Sequence, residues 1–187
     1  MARLIHRRVR FHVSSLALAI STVMLVSCTH SIPRLGVGGR YEEGIDQFLR
    51  GKAICALILS EQTKIAFGLL ERLRQEEVSL HAPRLWVYEV TSGIHKYLHA
   101  KIIQPDVAED AISAAFDLDI NMLDDTPDLC RSASRWATRL NQMAVYDSFY
   151  LAVAESISAP LWTADKRLAN AAKQLGVDWV RWMEDLD

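Results

Sequence analysis

The stretch from Tyr146 to Leu168, YDSFYLAVAESISAPLWTADKRL, limits what this chain can fold into more than any other. Phe149, Leu151, Ala152 and Ala154 predict an apolar helix, Ser158-Ala159-Pro160 a break, Leu161-Trp162 a short buried strand, and Asp165 the opening of a second helix. Two acids mark its ends. Asp147 stands in the first turn of the first helix, and Asp165 stands where the strand gives way to the second. Unpaired N–H groups and the helix dipole favour a carboxylate at either place, so each can be read simply as a helix-start acid. The other reading is that the ends of these elements bring both acids to the carboxyl edge of a parallel sheet, where α/β proteins place their sites.

The rest of the chain supplies the elements such a sheet needs. Ala53 to Leu73 is helical by period, and Val78 to Ala82 alternates as a buried strand. Pro83 then starts a helix over residues 84–100, predicted to carry Leu85, Tyr88, Ile94 and Leu98 inward. Gln104-Pro105-Asp106 opens another helix reaching about Leu118, Ile120 to Leu123 is a short strand, and Asp125-Thr126-Pro127 starts a helix to about Leu140. The helix after Asp165 runs to Leu175 and stops at Gly176, ahead of a last strand, Val177 to Trp182. Strands alternating with helices predict an α/β fold with a mainly parallel sheet flanked by helices. A chain of 187 residues, half of them hydrophobic, is long enough for one domain with a sizeable core.

Residues 1–40 differ in kind from the rest of the chain. Arg3, Arg7, Arg8 and Arg10 precede an apolar run, Leu16 to Val26, too short to span a bilayer, which is the shape of a signal peptide. Leu25-Val26-Ser27-Cys28 fits a bacterial lipobox, and its use would make an exported lipoprotein anchored to a membrane at Cys28. The alternative, which the remaining sequence favours, is an over-extended or out-of-frame start ahead of a cytoplasmic domain. Ser31 to Arg40, with one Pro and three Gly, reads as a linker. The predicted organisation is therefore a signal-like or aberrant segment and linker over 1–40 and a domain over 41–187. Three widely spaced cysteines without CxxC spacing suit a reduced interior, with Cys55 and Cys130 expected to pack as small apolar residues.

Glu89 is the third acid of interest, on a helix otherwise apolar along that side, where a carboxylate needs a partner. Acids that converge repel and raise each other's pKa unless a divalent cation joins them. Magnesium suits such a site, because it takes a few carboxylates, keeps several waters, and can orient a phosphate and activate a water. His95 and His99 share a helix face without a surrounding H-E-x-x-H and are read as surface residues.

Tyr146-Asp147-Ser148 leading an Ala-rich helix, followed by Ala159 to Leu168 (APLWTADKRL), resembles the C-terminal half of PIN-domain ribonucleases of the VapC toxin type. Ala82 to Val90 (APRLWVYEV) is similar to the family's segment carrying its conserved Glu. The separations, 58 residues from Glu89 to Asp147 and 18 from Asp147 to Asp165, are also similar. The resemblance covers about residues 53–182. It implies a three-layer fold and a Mg²⁺- or Mn²⁺-dependent endoribonuclease, with Glu89, Asp147 and Asp165 as catalytic metal ligands and Thr163 beside the metal. It also implies a homodimer and a cognate antitoxin protein. The family's first acid, which closes its first strand, falls near Arg50-Gly51, where RGK stands; Asp46 takes the role only with about four residues inserted. One explanation for this departure and the unusual first 40 residues is a frameshift or upstream fusion that replaced the first strand. A PIN-like module that binds RNA or protein without cleaving it is then the alternative function.

With a net charge of −2 the chain has no bulk attraction for nucleic acid, so RNA binding must rest on local basic groups. Lys166 and Arg167, next to Asp165, are the first candidates, and Thr163 is counted with them as an RNA contact. Arg131, Arg135 and Arg139 recur every fourth residue and form a stripe that is either a solvated face or a phosphate-contacting edge.

Overall fold

The computed structural model describes the backbone of residues 25–28 and residues 68–69, 72–73 and 75–185. In chain order the elements are β1 (Leu25–Cys28), β2 (Ser79–Pro83), α1 (Leu85–His99), α2 (Pro105–Phe116), β3 (Asn121–Leu123), α3 (Pro127–Arg139), α4 (Tyr146–Ser156), β4 (Leu161–Thr163), α5 (Lys166–Gln174) and β5 (Val180–Trp182). A short 3₁₀ turn, Met183–Asp185, follows β5. Asp46, Arg50, Gly51, Cys55 and most of the expected Ala53–Leu73 helix lie outside the described residues; Gly68, Leu69, Arg72 and Leu73 are helical.

The strands form one sheet in the order β3-β2-β1-β4-β5. β2 pairs with β3 in parallel, as does β4 with β5, and β1 is antiparallel to both β2 and β4. Both neighbours oppose β1, so β2, β3, β4 and β5 all run one way and end at one edge. The expected mainly parallel sheet holds for these four strands, and a single reversed strand stands at its centre. That strand is Leu25–Cys28, the segment whose sequence reads as the tail of a leader. A gap between two parallel pairs offers unpaired N–H and C=O groups on both sides, and a short extended segment can satisfy both rows in either direction.

Helix α4 is the centre of the core. Leu151, Ala152, Val153 and Ala154 are all buried, as are Tyr150 and Ser148, so the helix is enclosed on almost every side. It packs on β1, β2, β4 and α3. An enclosed helix has no room for a broad polar face, and alanines let its neighbours approach closely. Strand β4 is likewise buried on both faces, as expected for a strand covered by helices on both sides of a sheet.

Local chemistry sets the helix ends. Thr126 accepts a hydrogen bond from the Leu129 N–H at 3.1 Å, with Pro127 just inside, and so opens α3. Gly176, at φ +75°, terminates the turn after α5. A Cβ there would meet nothing within 4 Å, so the effect of Gly176→Ala is purely conformational. Its expected cost is about 1 kcal/mol, measured as a lowered urea midpoint.

Two burial expectations are corrected. The inward face of α1 is Trp86, Val90, Gly93, Ile94 and Tyr97, while Tyr88 is 71% exposed. The apolar positions of this helix permit two neighbouring faces, and docking of the bulky Trp86 selects between them. Cys130 is exposed, because the inward face of α3 is filled by Leu129, Ala133, Trp136 and Ala137. His95 and His99 are exposed as expected, their rings 6.4 Å apart.

Candidate active site

The common edge where β2, β3, β4 and β5 end collects the acids singled out in sequence. α1 leaves this edge directly after β2, which puts Glu89 in its second turn. Asp165 follows β4 at the same edge. α4 runs back toward the start of β4, so its first turn, with Asp147, returns to the edge as well.

Each carboxylate has a different environment. The Tyr150 hydroxyl donates to Glu89 Oε2 at 2.5 Å, supplying the partner that this half-buried acid requires. Burial raises the Glu89 pKa above the usual carboxylate range; the Tyr150 hydrogen bond opposes this, and the charge of Asp147 adds to it. The Asp147 pKa is raised as well, first by burial and then by the charge of Asp165, with the Arg167 guanidinium pulling the other way. Glu89 thus senses Asp147, and Asp147 senses Asp165. The Tyr150 phenol is held protonated, by burial first and by the Glu89 charge next.

Asp165 serves its helix. Its Oδ1 accepts from the N–H groups of Arg167 at 2.8 Å and Leu168 at 3.3 Å, so it is the N-cap of α5 that a helix-start acid would be. Arg167 Nε lies 3.5 Å from the same oxygen. Asp147 differs, since no hydrogen bond to its carboxylate occurs among the described residues. Thr163 is 1% exposed, and its hydroxyl accepts the Asp165 N–H at 3.0 Å. Its side chain therefore shapes the loop carrying Asp165 and does not present an open surface to RNA.

The basic residues are distributed more widely. Lys166 holds its ammonium 3.9 Å from the centre of the Trp182 ring, and Arg167 is almost fully exposed. Arg131 pairs with Asp128 at 2.5 Å, Arg139 stacks 4.1 Å above Trp136, and Arg135 is exposed between them. Arg84, directly after β2, makes an ion pair with Asp124, directly after β3, and so joins two loops of the acidic edge.

Tyr150 was not singled out in sequence. The available signal was its position three residues after Asp147, which places both on one face of α4. Tyr150→Phe would leave Glu89 without its donor. We expect a stability loss of about 1–2 kcal/mol in urea denaturation, with the Glu89 pKa displaced further upward.

Comparison with family models gives a match to the PIN domain over residues 52–174, 123 of the 187. The chain belongs to the PIN domain family. Comparison with curated proteins gives no match. The matched segment contains Glu89, Asp147 and Asp165 but excludes β1, so the central strand of this PIN domain comes from outside the family segment. Asp46 is also outside it. PIN domains are in general metal-dependent nucleases, which establishes the broad class of activity. The donors here are all carboxylate oxygens with little else to neutralise them, which suits a hard divalent cation in kind. In spacing the set is open: among the described residues, no three His, Cys, Asp or Glu side chains gather closely enough to hold one ion. Charges act on one another beyond ligation distance, which is how the acids can be coupled without being closed around a single point.

Proposed function

We propose that this PIN domain is a Mg²⁺- or Mn²⁺-dependent endoribonuclease of the VapC toxin type, with Glu89, Asp147 and Asp165 contributing to the metal site. The observation that carries this reading is the series of carboxylates along one sheet edge, with Asp147 accepting no hydrogen bond from the described residues. When bound, a divalent cation supplies neutralisation of the scissile phosphate and an activated water. The protein's own groups do the rest. Tyr150 holds the Glu89 carboxylate in one orientation, and Thr163 shapes the loop that presents Asp165. Lys166 and Arg167 bring positive charge to the phosphates, with Arg131 and Arg135 as more distant contacts. A homodimer and an antitoxin protein that blocks the site belong to the same proposal. The proposed location is the cytoplasm, since cleavage ahead of Cys28 for lipid anchoring would remove Leu25, Val26 and Ser27 from the middle of the sheet.

The test is cleavage of single-stranded RNA with Mg²⁺ and with a chelator, by the native chain and by Asp147→Asn. Cleavage is expected only from the native chain with Mg²⁺, and a loss of about 100-fold or more in the variant. Equal product in all four samples would remove the nuclease reading.

A second reading is favoured by the open spacing of the acids and by Arg50-Gly51 standing where the first acid is expected. In this reading the domain binds RNA or a protein partner without hydrolysis. Calorimetric titration with Mg²⁺ separates the two, since a non-catalytic module gives no saturable heat.

A further inference from the structure

Beside each of the two half-buried acids stands an aromatic side chain that the fold does not use. Tyr88 precedes Glu89 and is 71% exposed, and Tyr146 precedes Asp147 and is 59% exposed. Consecutive helical residues are separated by roughly 100° around the axis, so an acid turned toward the site leaves its neighbour on the flank. Both tyrosines sit in the first turns of helices that begin at the acidic edge. The edge also carries two guanidinium groups. Arg84 stands one helical turn before Tyr88, and Arg167, in the first turn of α5, lies beside Asp165 at the same edge. The pairing of an exposed tyrosine with a half-buried acid therefore occurs twice, once on α1 and once at the start of α4. Burial would have been available to an aromatic ring in this core, as Tyr97 and Tyr150 demonstrate. Exposed rings next to positive charge are the means by which proteins hold unpaired bases while contacting the connecting phosphates.

We propose that Tyr88 and Tyr146 are base-stacking platforms on either side of the acidic edge, which hold unpaired nucleobases of single-stranded RNA with Arg84 and Arg167 at the adjoining phosphates. Duplex RNA, whose bases already stack on one another, has no free faces to offer them. The platforms confine the site to single-stranded segments and are positioning residues. The choice of RNA as ligand rests on the nuclease reading, whereas stacking itself can be measured without cleavage.

The experiment is fluorescence anisotropy of a labelled eight-nucleotide single-stranded RNA, and of its duplex, in chelator so that no turnover occurs. The full chain is compared with Tyr88→Ala, Tyr146→Ala, Tyr88→Phe and Tyr146→Phe. Each Ala variant should bind the single strand about tenfold more weakly, each Phe variant within about twofold of the native chain, and the duplex at least about tenfold more weakly than the single strand. Unchanged melting temperatures are expected for all four variants, because both rings are exposed. Ala variants within twofold of native, no binding by the native chain, or equal binding of duplex would each overturn the proposal. Tyrosine-dependent binding without Mg²⁺-dependent cleavage would leave this inference standing and remove only the nuclease reading.

Discussion

Asp147→Asn should raise the melting temperature of the metal-free protein at neutral pH while abolishing Mg²⁺-dependent RNA cleavage. The folded-state pKa of Asp147 is raised by burial and by Asp165, so folding favours its protonated form. Below the ordinary carboxylate range both folded and unfolded chains carry the proton, and the substitution changes little. As pH rises, the unfolded chain gives up its proton first, the folded chain retains it longer, and stability falls through that window until the folded group has also ionised. Asn cannot ionise and escapes this loss. The difference between variant and native chain should therefore open above the ordinary aspartate pKa of about 4 and level off once the folded-state carboxyl has also ionised. In a chain of this length each 1 kcal/mol of such relief raises the melting temperature by about 2–4 °C. Glu89→Gln should behave in the same direction, less strongly, because Tyr150 already offsets part of its cost. Saturating Mg²⁺ should stabilise the native chain by about 2–3 kcal/mol at one hundred times its dissociation constant and should not stabilise Asp147→Asn. A lowered melting temperature in chelator, or an identical Mg²⁺ response in the variant, would show that Asp147 is not a charge held against repulsion for the sake of a cation.

Trp136→Ala should be the most damaging substitution away from that edge. Trp136 is 3% exposed on α3, meets the Trp179 ring edge to face at 5.5 Å, and lies beneath Arg139. Its indole N–H donates to Glu155 Oε2 at 3.0 Å, and the Ser132 hydroxyl donates to the same oxygen at 2.7 Å. One carboxylate on α4 thus fastens two residues of α3. Truncation to Ala removes the ring's packing, leaves a cavity and takes one donor from Glu155, so a loss of about 4 kcal/mol is expected. In a chain of this size that lowers the melting temperature by about 8–16 °C. Trp136→Phe retains most of the ring volume and loses the N–H, and should cost about 1–2 kcal/mol. Equal effects from Ala and Phe in urea denaturation would mean that the indole hydrogen bond, rather than packing, dominates.

Legibility from sequence depended on how local each signal was. The helix at Tyr146–Ser156, the break at Pro160, strand Leu161–Thr163 and the cap at Asp165 were all readable, because apolar period, proline and capping chemistry act within a few residues. The same holds for Thr126-Pro127 and Gly176. The inward face of α1 was misjudged at Tyr88, since the sequence fits two adjacent faces and only the packing of Trp86 distinguishes them. Cys130 was misplaced for a similar reason, as small apolar side chains satisfy either side of α3. Tyr150 was overlooked as the partner of Glu89 because 61 residues separate them, a distance at which no periodicity operates.

By itself, the sequence determined the order of the elements from Ser79 onward, the α/β class, the PIN resemblance and the three acids, since each depends on residues close together in the chain. Tertiary structure alone decided what those acids experience. It gave Glu89 a phenol partner and left Asp147 half-buried between like charges. It also put Leu25–Cys28, reversed, at the centre of the sheet. The physical reason is common to all three: burial, charge coupling and strand pairing are set by which distant segments pack together, and the local patterns of this chain are compatible with more than one such arrangement.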